Sequence, residues 1–451
     1  MHSNLIIIGA GPGGYETALD AAKRGMSVTL FEGAHLGGTC LNEGCIPTKC
    51  LCKNAEVLTQ FKEADKFGID DFQFTFDFGK VMARKNEVIA TLREGIASLM
   101  KAAKVNVVEA YASFKDAKTI VANGEEYTAD NIIIATGSTS RSLPIPGADL
   151  DCVMNSTDLL NIDRIPESLC IVGGGVIGME FASIFNAMGT KVTVVEFMKQ
   201  ILPPFDSDIA KRLKQNLSKR GIDILTSAAV QKIEKNEQGE IVTTYESKGK
   251  TAEVITTDIL MAVGRAPRID GLNLEAAGVE FSPRGIVVDD NMRTNVEGIY
   301  AIGDVNARLM LAHVATFQGI RALNAIEGKA DEIDFSIVPS AVFTQPECGM
   351  VGMTEEQCKV AGIAIRTGQS FFRANGKALA LGEPDGLCKL IFNAEDGRLI
   401  GAHIMGVQAA DLAQQAGDLM TRGTTLHQMH DIIFGHPTVS EVILSAVHAV
   451  K

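Results

Sequence analysis

Residues 37–49 read Gly37-Gly38-Thr39-Cys40-Leu41-Asn42-Glu43-Gly44-Cys45-Ile46-Pro47-Thr48-Lys49, with four residues between the two cysteines. In an uninterrupted α-helix, residues five positions apart lie about 7.5 Å apart along the axis and roughly 140° apart around it. That separation is too large for a disulfide, so a bond between Cys40 and Cys45 requires a break in the helix. Gly44 can supply the break, and Pro47 can begin a new helix at its first position. A disulfide at such a distortion is expected to be reducible.

The cysteine pair has other interpretations, namely two buried free thiols, half of a zinc site or a structural disulfide. A zinc site would need a second pair of ligands at a suitable spacing. Outside this segment no such pair is found among the remaining cysteines, which are Cys50, Cys52, Cys152, Cys170, Cys348, Cys358 and Cys388. We therefore expect no metal site. The spacing of Cys40 and Cys45 does not by itself separate the remaining alternatives.

The chain before this segment predicts a βαβ unit that binds a dinucleotide. A strand, a helix and a second strand are predicted over 4–8, about 15–24 and 27–31. Gly9 would make a tight turn, Gly11 would let a pyrophosphate approach the helix, and Gly14 would permit close packing of helix on strand. Glu32 ends the second strand, where a carboxylate can accept both hydroxyls of an adenosine ribose.

The same unit recurs in the middle of the chain. A strand, a helix and a second strand are predicted over 169–172, 179–188 and 191–195. The glycines of this copy are Gly173, Gly175 and Gly178, and its acid is Glu196. The interval from first glycine to acid is 23 residues in both copies. Two units imply two different dinucleotides, and Glu196 favours NAD over NADP because a 2′-phosphate would meet a carboxylate.

Other patterns divide the rest of the chain. Scaffold helices are predicted over 49–67 and 78–101, a linker over 138–147, and a strand over 259–263 before Gly264. Beyond residue 337 we expect hairpin strands over 387–393 and 399–405 and helices over about 408–422 and 442–450. These patterns divide the chain into four predicted domain segments, which are 1–140, 141–265, 266–336 and 337–451.

The composition is that of a globular protein with several domains. A chain of 451 residues exceeds one ordinary core and suggests about two to four domains. The net charge of −13 argues against nucleic acid or an anionic membrane as partner. No apolar run is long enough for a bilayer, and the residues before the first strand are too few for a signal peptide. We expect a cytoplasmic protein, with a transit peptide outside this sequence left open.

The whole string GGTCLNEGCIPTK resembles the active-site signature of the flavin-dependent pyridine nucleotide-disulfide oxidoreductases. Three further segments resemble motifs of that family, in the same order: Ala135-Thr136-Gly137, Gly298 to Asp304, and His436 to Glu441. The resemblance covers essentially the whole chain. It implies an α/β fold with two Rossmann-like dinucleotide-binding domains, for FAD and then NAD, and a C-terminal α+β dimerisation domain.

The resemblance also implies roles for individual residues. Cys40, as the more accessible thiol, would exchange with a substrate dithiol, while Cys45 would face the flavin. Lys49 and Glu180 would form an ion pair beside the flavin. The FAD-binding residues implied are Gly9, Gly11, Gly14, Glu32, Gly38, Thr39, Lys49, Ala112, Thr136, Gly137, Asp304, Leu311, Ala312 and His313. The NAD-binding residues implied are Gly173, Gly175, Ile177, Gly178, Glu196, Val230 and Gly264.

His436 and Glu441 have two interpretations. Thr438 to Glu441 matches T-x-x-E, so Glu441 can simply cap the following helix. In the family that the chain resembles, the histidine at this position reaches the disulfide of the neighbouring subunit and acts as acid and base. The glutamate orients that histidine. An imidazole titrates near neutral pH, as removal of a thiol proton requires. We therefore expect a homodimer in which each active site is completed by the other subunit.

Within the family, three features favour the branch that oxidises dihydrolipoyl groups with NAD. Glu196 argues against the NADPH-dependent reductases, the C-terminus Ala449-Val450-Lys451 carries no second redox pair, and both Cys40 and Cys45 are present. The implied partner is a lipoyl-bearing acyltransferase or carrier protein of a 2-oxo acid dehydrogenase or glycine cleavage complex. The alternatives are an NADH-dependent reductase of another small disulfide, a glutathione-reductase-like enzyme, or a flavoprotein that has lost turnover.

Overall fold

The elements below come from a computed structural model that describes residues 1–71 and 73–451. The strands are β1 His2–Ile8, β2 Val28–Glu32, β3 Asn106–Glu109, β4 Ser113–Asp116, β5 Thr119–Ala122, β6 Glu125–Ile134, β7 Ser138–Ser140, β8 Val153–Met154, β9 Ser168–Val172, β10 Lys191–Glu196, β11 Asp223–Thr226, β12 Ala228–Lys235, β13 Ile241–Ser247, β14 Lys250–Thr256, β15 Asp258–Met261, β16 Arg265–Pro267, β17 Phe281–Ser282, β18 Gly285–Ile286, β19 Ile299–Ala301, β20 Ser340–Val342, β21 Cys348–Gly352, β22 Ile365–Phe371, β23 Leu387–Asn393 and β24 Leu399–Met405. The α-helices are α1 Pro12–Lys23, α2 Gly38–Glu43, α3 Cys45–Lys62, α4 Phe78–Ala102, α5 Ser156–Leu159, α6 Val176–Ala187, α7 Ser207–Lys219, α8 Leu274–Ala277, α9 Ala312–Ile326, α10 Glu355–Ala361, α11 Gly376–Ala380, α12 Ala409–Thr421, α13 Leu426–His430 and α14 Glu441–His448.

The first sheet has the strand order β3-β2-β1-β6-β5-β4, and β19 pairs with β6. The pairs β1–β2, β1–β6, β2–β3 and β6–β19 are parallel, as expected for a doubly wound dinucleotide fold. Helix α1 begins at Pro12, three residues earlier than the predicted helix, because proline suits a first helical position. The sheet thus combines the first 134 residues with a strand contributed after the second dinucleotide unit.

The second sheet has the order β11-β10-β9-β15-β8 and repeats this arrangement around the second glycine motif. A separate antiparallel sheet, β12-β13-β14, covers one side of it. The expected linker over 138–147 is partly a strand, since β7 pairs antiparallel with β16. The chain therefore enters and leaves the second dinucleotide unit through a two-stranded ribbon.

The last part of the chain forms an antiparallel sheet of order β20-β21-β24-β23-β22. The two predicted hairpin strands agree with β23 and β24, and the helices after them are α12 and α14. Its core packs Phe372, Leu390 and Phe392 against Val442 and Ile443 of α14. Among the described residues, no helix is long and apolar enough to cross a membrane.

Candidate active site

The two cysteines lie on either side of a helix break. Cys40 is in α2, Cys45 is the first residue of α3, and Gly44 between them has φ −147° and ψ −110°, outside the helical range. The break is where the sequence predicts it, but Pro47 is the third residue of α3 and not the first. Proline costs nothing there either, because the N–H groups of the first turn have no partner within the helix.

The two thiols differ sharply in their electrostatic setting. Both are free cysteines in the structure. The hydrogen bond from the Cys40 thiol lowers the pKa of Cys45 to about 7, against burial, and the Lys49 ammonium lowers it further. The same hydrogen bond, with burial added, raises the pKa of Cys40 well above its usual range. The pair is therefore polarised, with Cys45 as thiolate and Cys40 as the protonated donor.

The expected order of exposure is wrong for the isolated chain. Cys45 is exposed, whereas Cys40 is only partly exposed. Both thiols line the cavity, and Cys45 is the one that lies directly at the helix break. Exposure within one chain consequently does not decide which thiol meets a substrate.

The predicted ion pair between Lys49 and Glu180 is present. Helix α3 packs on α6, and Lys49 Nζ lies 3.0 Å from both carboxylate oxygens of Glu180. The Glu180 side chain is 4% exposed, and its Oε1 also accepts the Phe343 backbone N–H at 2.9 Å. The Lys49 ammonium stands 4.6 Å from the centre of the Phe343 ring. Burial disfavours the Lys49 charge, but Glu180 outweighs it and raises the pKa of the lysine.

Replacement of Lys49 by methionine tests this electrostatic account. The alkylation rate of Cys45 in the reduced protein should rise with pH around a midpoint of about 7, because the thiolate is the reactive form. In Lys49→Met the midpoint should move to higher pH, toward that of an ordinary thiol. The measurement is iodoacetamide labelling followed by mass spectrometry of the Cys45 peptide. Lys53→Met is the matched control, since Lys53 pairs with Glu56 on the exposed face of the same helix. Equal midpoints in the two variants would contradict the account.

A cavity of about 1220 Å³ runs from the first glycine motif past the cysteines to the second. Its wall includes most of the residues implied for the two dinucleotides: Gly9, Gly11, Glu32, Gly38, Thr39, Lys49, Thr136, Gly137, Asp304, Leu311, Ala312, Gly173, Gly175, Ile177, Glu196, Val230 and Gly264. Four implied residues are outside this wall, namely Gly14, Ala112, His313 and Gly178. Tyr111 lines the cavity in place of its neighbour Ala112, which is buried.

Gly14 and Gly178 act through packing, as the sequence predicts for Gly14. A Cβ at Gly14 would overlap the carbonyl oxygen of Gly9, and a Cβ at Gly178 would overlap that of Gly173. His313 is the second residue of α9, and burial lowers the pKa of its ring. His313 thus lies at the start of a helix and outside the cavity wall.

The two acids at the strand ends are held in the same way. Glu32 accepts the backbone N–H groups of Ala10 and Ala34, both at 2.8 Å. Glu196 accepts those of Gly174 and Met198, at 2.5 and 2.6 Å. Each carboxylate therefore fastens its glycine turn, a role that the sequence patterns did not reveal. Each oxygen keeps a second acceptor site, so both ends of the cavity fit an adenosine ribose.

The glycine turns fit a pyrophosphate. Gly11 and Gly38 stand so close together that a Cβ at Gly38 would lie 2.6 Å from the Gly11 Cα. The N-termini of α1 and α6 begin directly after Gly11 and Gly175, and their free N–H groups are suited to bind anions. The cavity therefore has two cradles, one at each glycine turn, and both cysteines line the same cavity.

Asp304 is part of a polar chain that sequence reasoning missed. Ser138 Oγ donates to Asp304 Oδ2 at 2.5 Å, and Arg265 donates to Ser138 through Nε and Nη2, both at 2.7 Å. All three residues line the cavity. Only the position of Arg265 directly after Gly264 could have drawn attention to it. Phe343, which contacts both members of the Lys49–Glu180 pair, had no signal in the sequence.

His436 and Glu441 are in contact, but they do not line the cavity of their own chain. His436 Nδ1 lies 3.0 Å from Glu441 Oε1, and the imidazole is 79% exposed. The Glu441 Oε2 accepts the Thr438 N–H at 2.9 Å, and that bond, followed by the bond from His436, lowers the pKa of the carboxyl. The expected capping box is only half formed, because Thr438 Oγ1 donates to the Gly435 carbonyl and Ser440 is the N-cap.

The described residues contain no group of three or more His, Cys, Asp or Glu side chains that could hold a metal ion. Two dinucleotide cradles on either side of a polarised dithiol define a class of redox proteins. Its members pass electron pairs between thiols and a nicotinamide through a second dinucleotide.

Comparison with known proteins agrees with this class. Residues 3–319 match the pyridine nucleotide-disulphide oxidoreductase family, and residues 338–447 match the dimerisation domain of that family. The chain belongs to the pyridine nucleotide-disulphide oxidoreductases. As a member of this family it uses FAD and NAD as cofactors.

The chain is similar to several curated and solved proteins. It is 39% identical to the dihydrolipoyl dehydrogenase of Geobacillus stearothermophilus, over 99% of this chain and 96% of that protein. It is 40% identical to the dihydrolipoyl dehydrogenase of Thermus scotoductus, over 99% of this chain and 97% of that protein. Among solved structures, it resembles the HOCl-induced flavoprotein disulfide reductase RclA from Escherichia coli, with a TM-score of 0.89 and 31% identity over 99% and 100% of the two chains.

Proposed function

We propose that this chain oxidises protein-bound dihydrolipoyl groups to lipoyl groups, with reduction of NAD to NADH, through the Cys40–Cys45 disulfide. The observation that carries the proposal is the polarised thiol pair between two dinucleotide cradles. The choice of substrate is supported by relatives named dihydrolipoyl dehydrogenase, which are similar to this chain throughout its length.

The thiol chemistry balances with the residues present. A dihydrolipoyl thiolate attacks the Cys40 sulfur of the oxidised pair, the Cys40–Cys45 bond breaks, and Cys45 leaves as a thiolate. The second dihydrolipoyl thiol loses its proton to His436 of the partner subunit and attacks its own sulfur in the mixed disulfide. The lipoyl disulfide closes, and Cys40 leaves and takes the proton that His436 of the partner subunit has just accepted. The substrate is oxidised by two electrons, and the cysteine pair is reduced by two.

The residues around Cys45 favour its role as leaving group. A thiolate with a pKa of about 7 leaves more readily than an ordinary thiolate. Lys49 supplies the neighbouring positive charge, and Glu180 keeps that lysine charged and in position. Bound FAD and NAD supply the chemistry that removes the electron pair and restores the disulfide.

The homodimer is part of the proposal. The chain carries a dimerisation domain. His436 is exposed and outside the cavity of its own chain, which supports a role at the disulfide of the partner subunit. We further propose a lipoyl-bearing acyltransferase or carrier protein of a 2-oxo acid dehydrogenase or glycine cleavage complex as partner, in the cytoplasm.

The second candidate is an NADH-dependent reductase of another disulfide. It is favoured by the similarity to the flavoprotein disulfide reductase RclA, one structure of which is a Cu(II) complex. A steady-state assay separates the two functions. NADH formation from free dihydrolipoamide should far exceed NADH oxidation with glutathione disulfide or Cu(II). The reverse order would favour the second candidate.

The cofactor preference is a separate prediction. NAD should be favoured over NADP by at least about a hundredfold in kcat/KM, because a 2′-phosphate would meet the Glu196 carboxylate. That carboxylate is fixed by two backbone N–H groups and cannot easily turn away. The measurement is initial-rate kinetics with each cofactor at saturating dihydrolipoamide. Comparable constants would show that another group neutralises the phosphate.

A further inference from the structure

The ribbon of β7 and β16 carries a hydrogen-bond chain from the second dinucleotide unit to Asp304. Ribbon pairing places Arg265 opposite Ser140 and Pro267 opposite Ser138. Two further backbone bonds extend it, from Arg141 N to Gly264 O at 3.0 Å and from Arg268 N to Gly137 O at 2.9 Å. The ribbon therefore joins Gly264, on the NAD side of the cavity, to Gly137 on the FAD side.

The direction of each hydrogen bond between Arg265, Ser138 and Asp304 follows from the donors available. A guanidinium has only donors, so Ser138 Oγ must accept from Arg265 Nε. The single serine proton is then free for Asp304, and the bond of 2.5 Å is charge-assisted. The second bond, from Arg265 Nη2 to the Ser138 carbonyl, fixes the guanidinium plane. Ser138 is 3% exposed, so water does not readily replace either bond.

We propose that Arg265 is a positioning residue that acts through Ser138 on Asp304, and so sets the carboxylate for the ribityl chain of FAD. The inference rests on the role that the family resemblance implies for Asp304, which is to bind the ribityl chain of FAD. With Ser138 holding one oxygen, Asp304 keeps its other oxygen for the cofactor. The strand β16, which leads out of the second dinucleotide unit, thereby contributes to flavin affinity through Asp304.

The test measures FAD affinity and needs no turnover. Apoprotein is titrated with FAD, and the loss of flavin fluorescence gives the dissociation constant. Arg265→Gln and Ser138→Ala should each raise this constant about tenfold, since a charged hydrogen-bond network is broken. Arg265→Lys should not restore affinity, because one ammonium cannot make both guanidinium bonds. Arg141→Gln is the matched control, an exposed arginine that directly follows β7 and does not line the cavity.

The double variant distinguishes a relay from two independent effects. If Arg265 acts through Ser138, Arg265→Gln combined with Ser138→Ala should weaken FAD binding no more than the stronger single change. Additive losses would overturn the proposal, as would an Arg265→Gln constant equal to that of Arg141→Gln. If Arg265→Gln fails to fold, an unchanged constant in Ser138→Ala would overturn it.

Asp304→Asn separates this inference from the proposed ligand role. If Asp304→Asn weakens FAD binding while Arg265→Gln does not, only the relay is wrong. If Asp304→Asn has no effect, the role of Asp304 is itself wrong, and the inference is overturned with it. A failed dihydrolipoamide assay would refute the proposed substrate and leave these binding constants intact.

Discussion

Replacement of either redox cysteine by serine is expected to lower dihydrolipoamide oxidation by at least about a thousandfold. Thiol–disulfide exchange needs both sulfurs, because one forms the mixed disulfide and the other must leave and later close the bond again. The measurement is steady-state NADH formation by Cys40→Ser and Cys45→Ser. Cys152→Ser is the control, since Cys152 is also a free thiol but packs against a hydrophobic cluster and does not line the cavity.

A second measurement assigns the two sulfurs. The FAD-loaded, reduced variants are treated with 5,5′-dithiobis(2-nitrobenzoate), which releases one thionitrobenzoate for each mixed disulfide formed. In Cys45→Ser, the adduct at Cys40 should persist, because no neighbouring thiolate can displace it. In Cys40→Ser, Cys45 should react slowly, because the family resemblance places Cys45 against the bound flavin, which would shield it. Peptide mapping locates the adducts. A persistent adduct at Cys45 with none at Cys40 would reverse the assignment.

The features that sequence predicted well depend on local backbone geometry. Gly14 and Gly178 stand where a Cβ would overlap the carbonyl group of the first glycine of the same motif, so their spacing in the chain is a direct consequence of the fold. Gly44 breaks the helix for a similarly local reason. Such patterns are visible in the sequence because each requirement involves only a few neighbouring residues.

The features that sequence missed depend on contacts between distant segments. More than a hundred residues separate Ser138 from Arg265 in the chain, and tens of residues separate Arg265 from Asp304. Nothing in any one of these segments requires the others. Phe343 meets Lys49 and Glu180 only because β20 reaches α6. The exposure of Cys45 was also beyond sequence, since it depends on how the whole cavity wall is assembled.

Replacement of His436 by glutamine is expected to lower turnover by about 10²- to 10⁴-fold, as for loss of a general acid–base group. FAD content should be unchanged, because His436 does not line the cavity of its own chain. Glu441→Gln should have a smaller effect and change the pH profile. Glutamine can still accept the Thr438 N–H, but it lacks the charge that stabilises an imidazolium. If Glu441→Gln changed only the stability of the protein and not the turnover, Glu441 would have only the capping role.

Mixed dimers decide whether the site is shared between subunits. Cys45→Ser and His436→Gln, each expected to have lost at least about 99% of its turnover, are combined at equal amounts under conditions in which differently tagged subunits are shown to exchange. Random exchange places both types of chain in half of the dimers, and each such dimer has one intact site if the histidine acts across the interface. Activity should therefore recover to about a quarter of the wild-type value, whereas each variant exchanged with itself should stay inactive. Proven exchange without recovery would mean that His436 acts on the disulfide of its own chain.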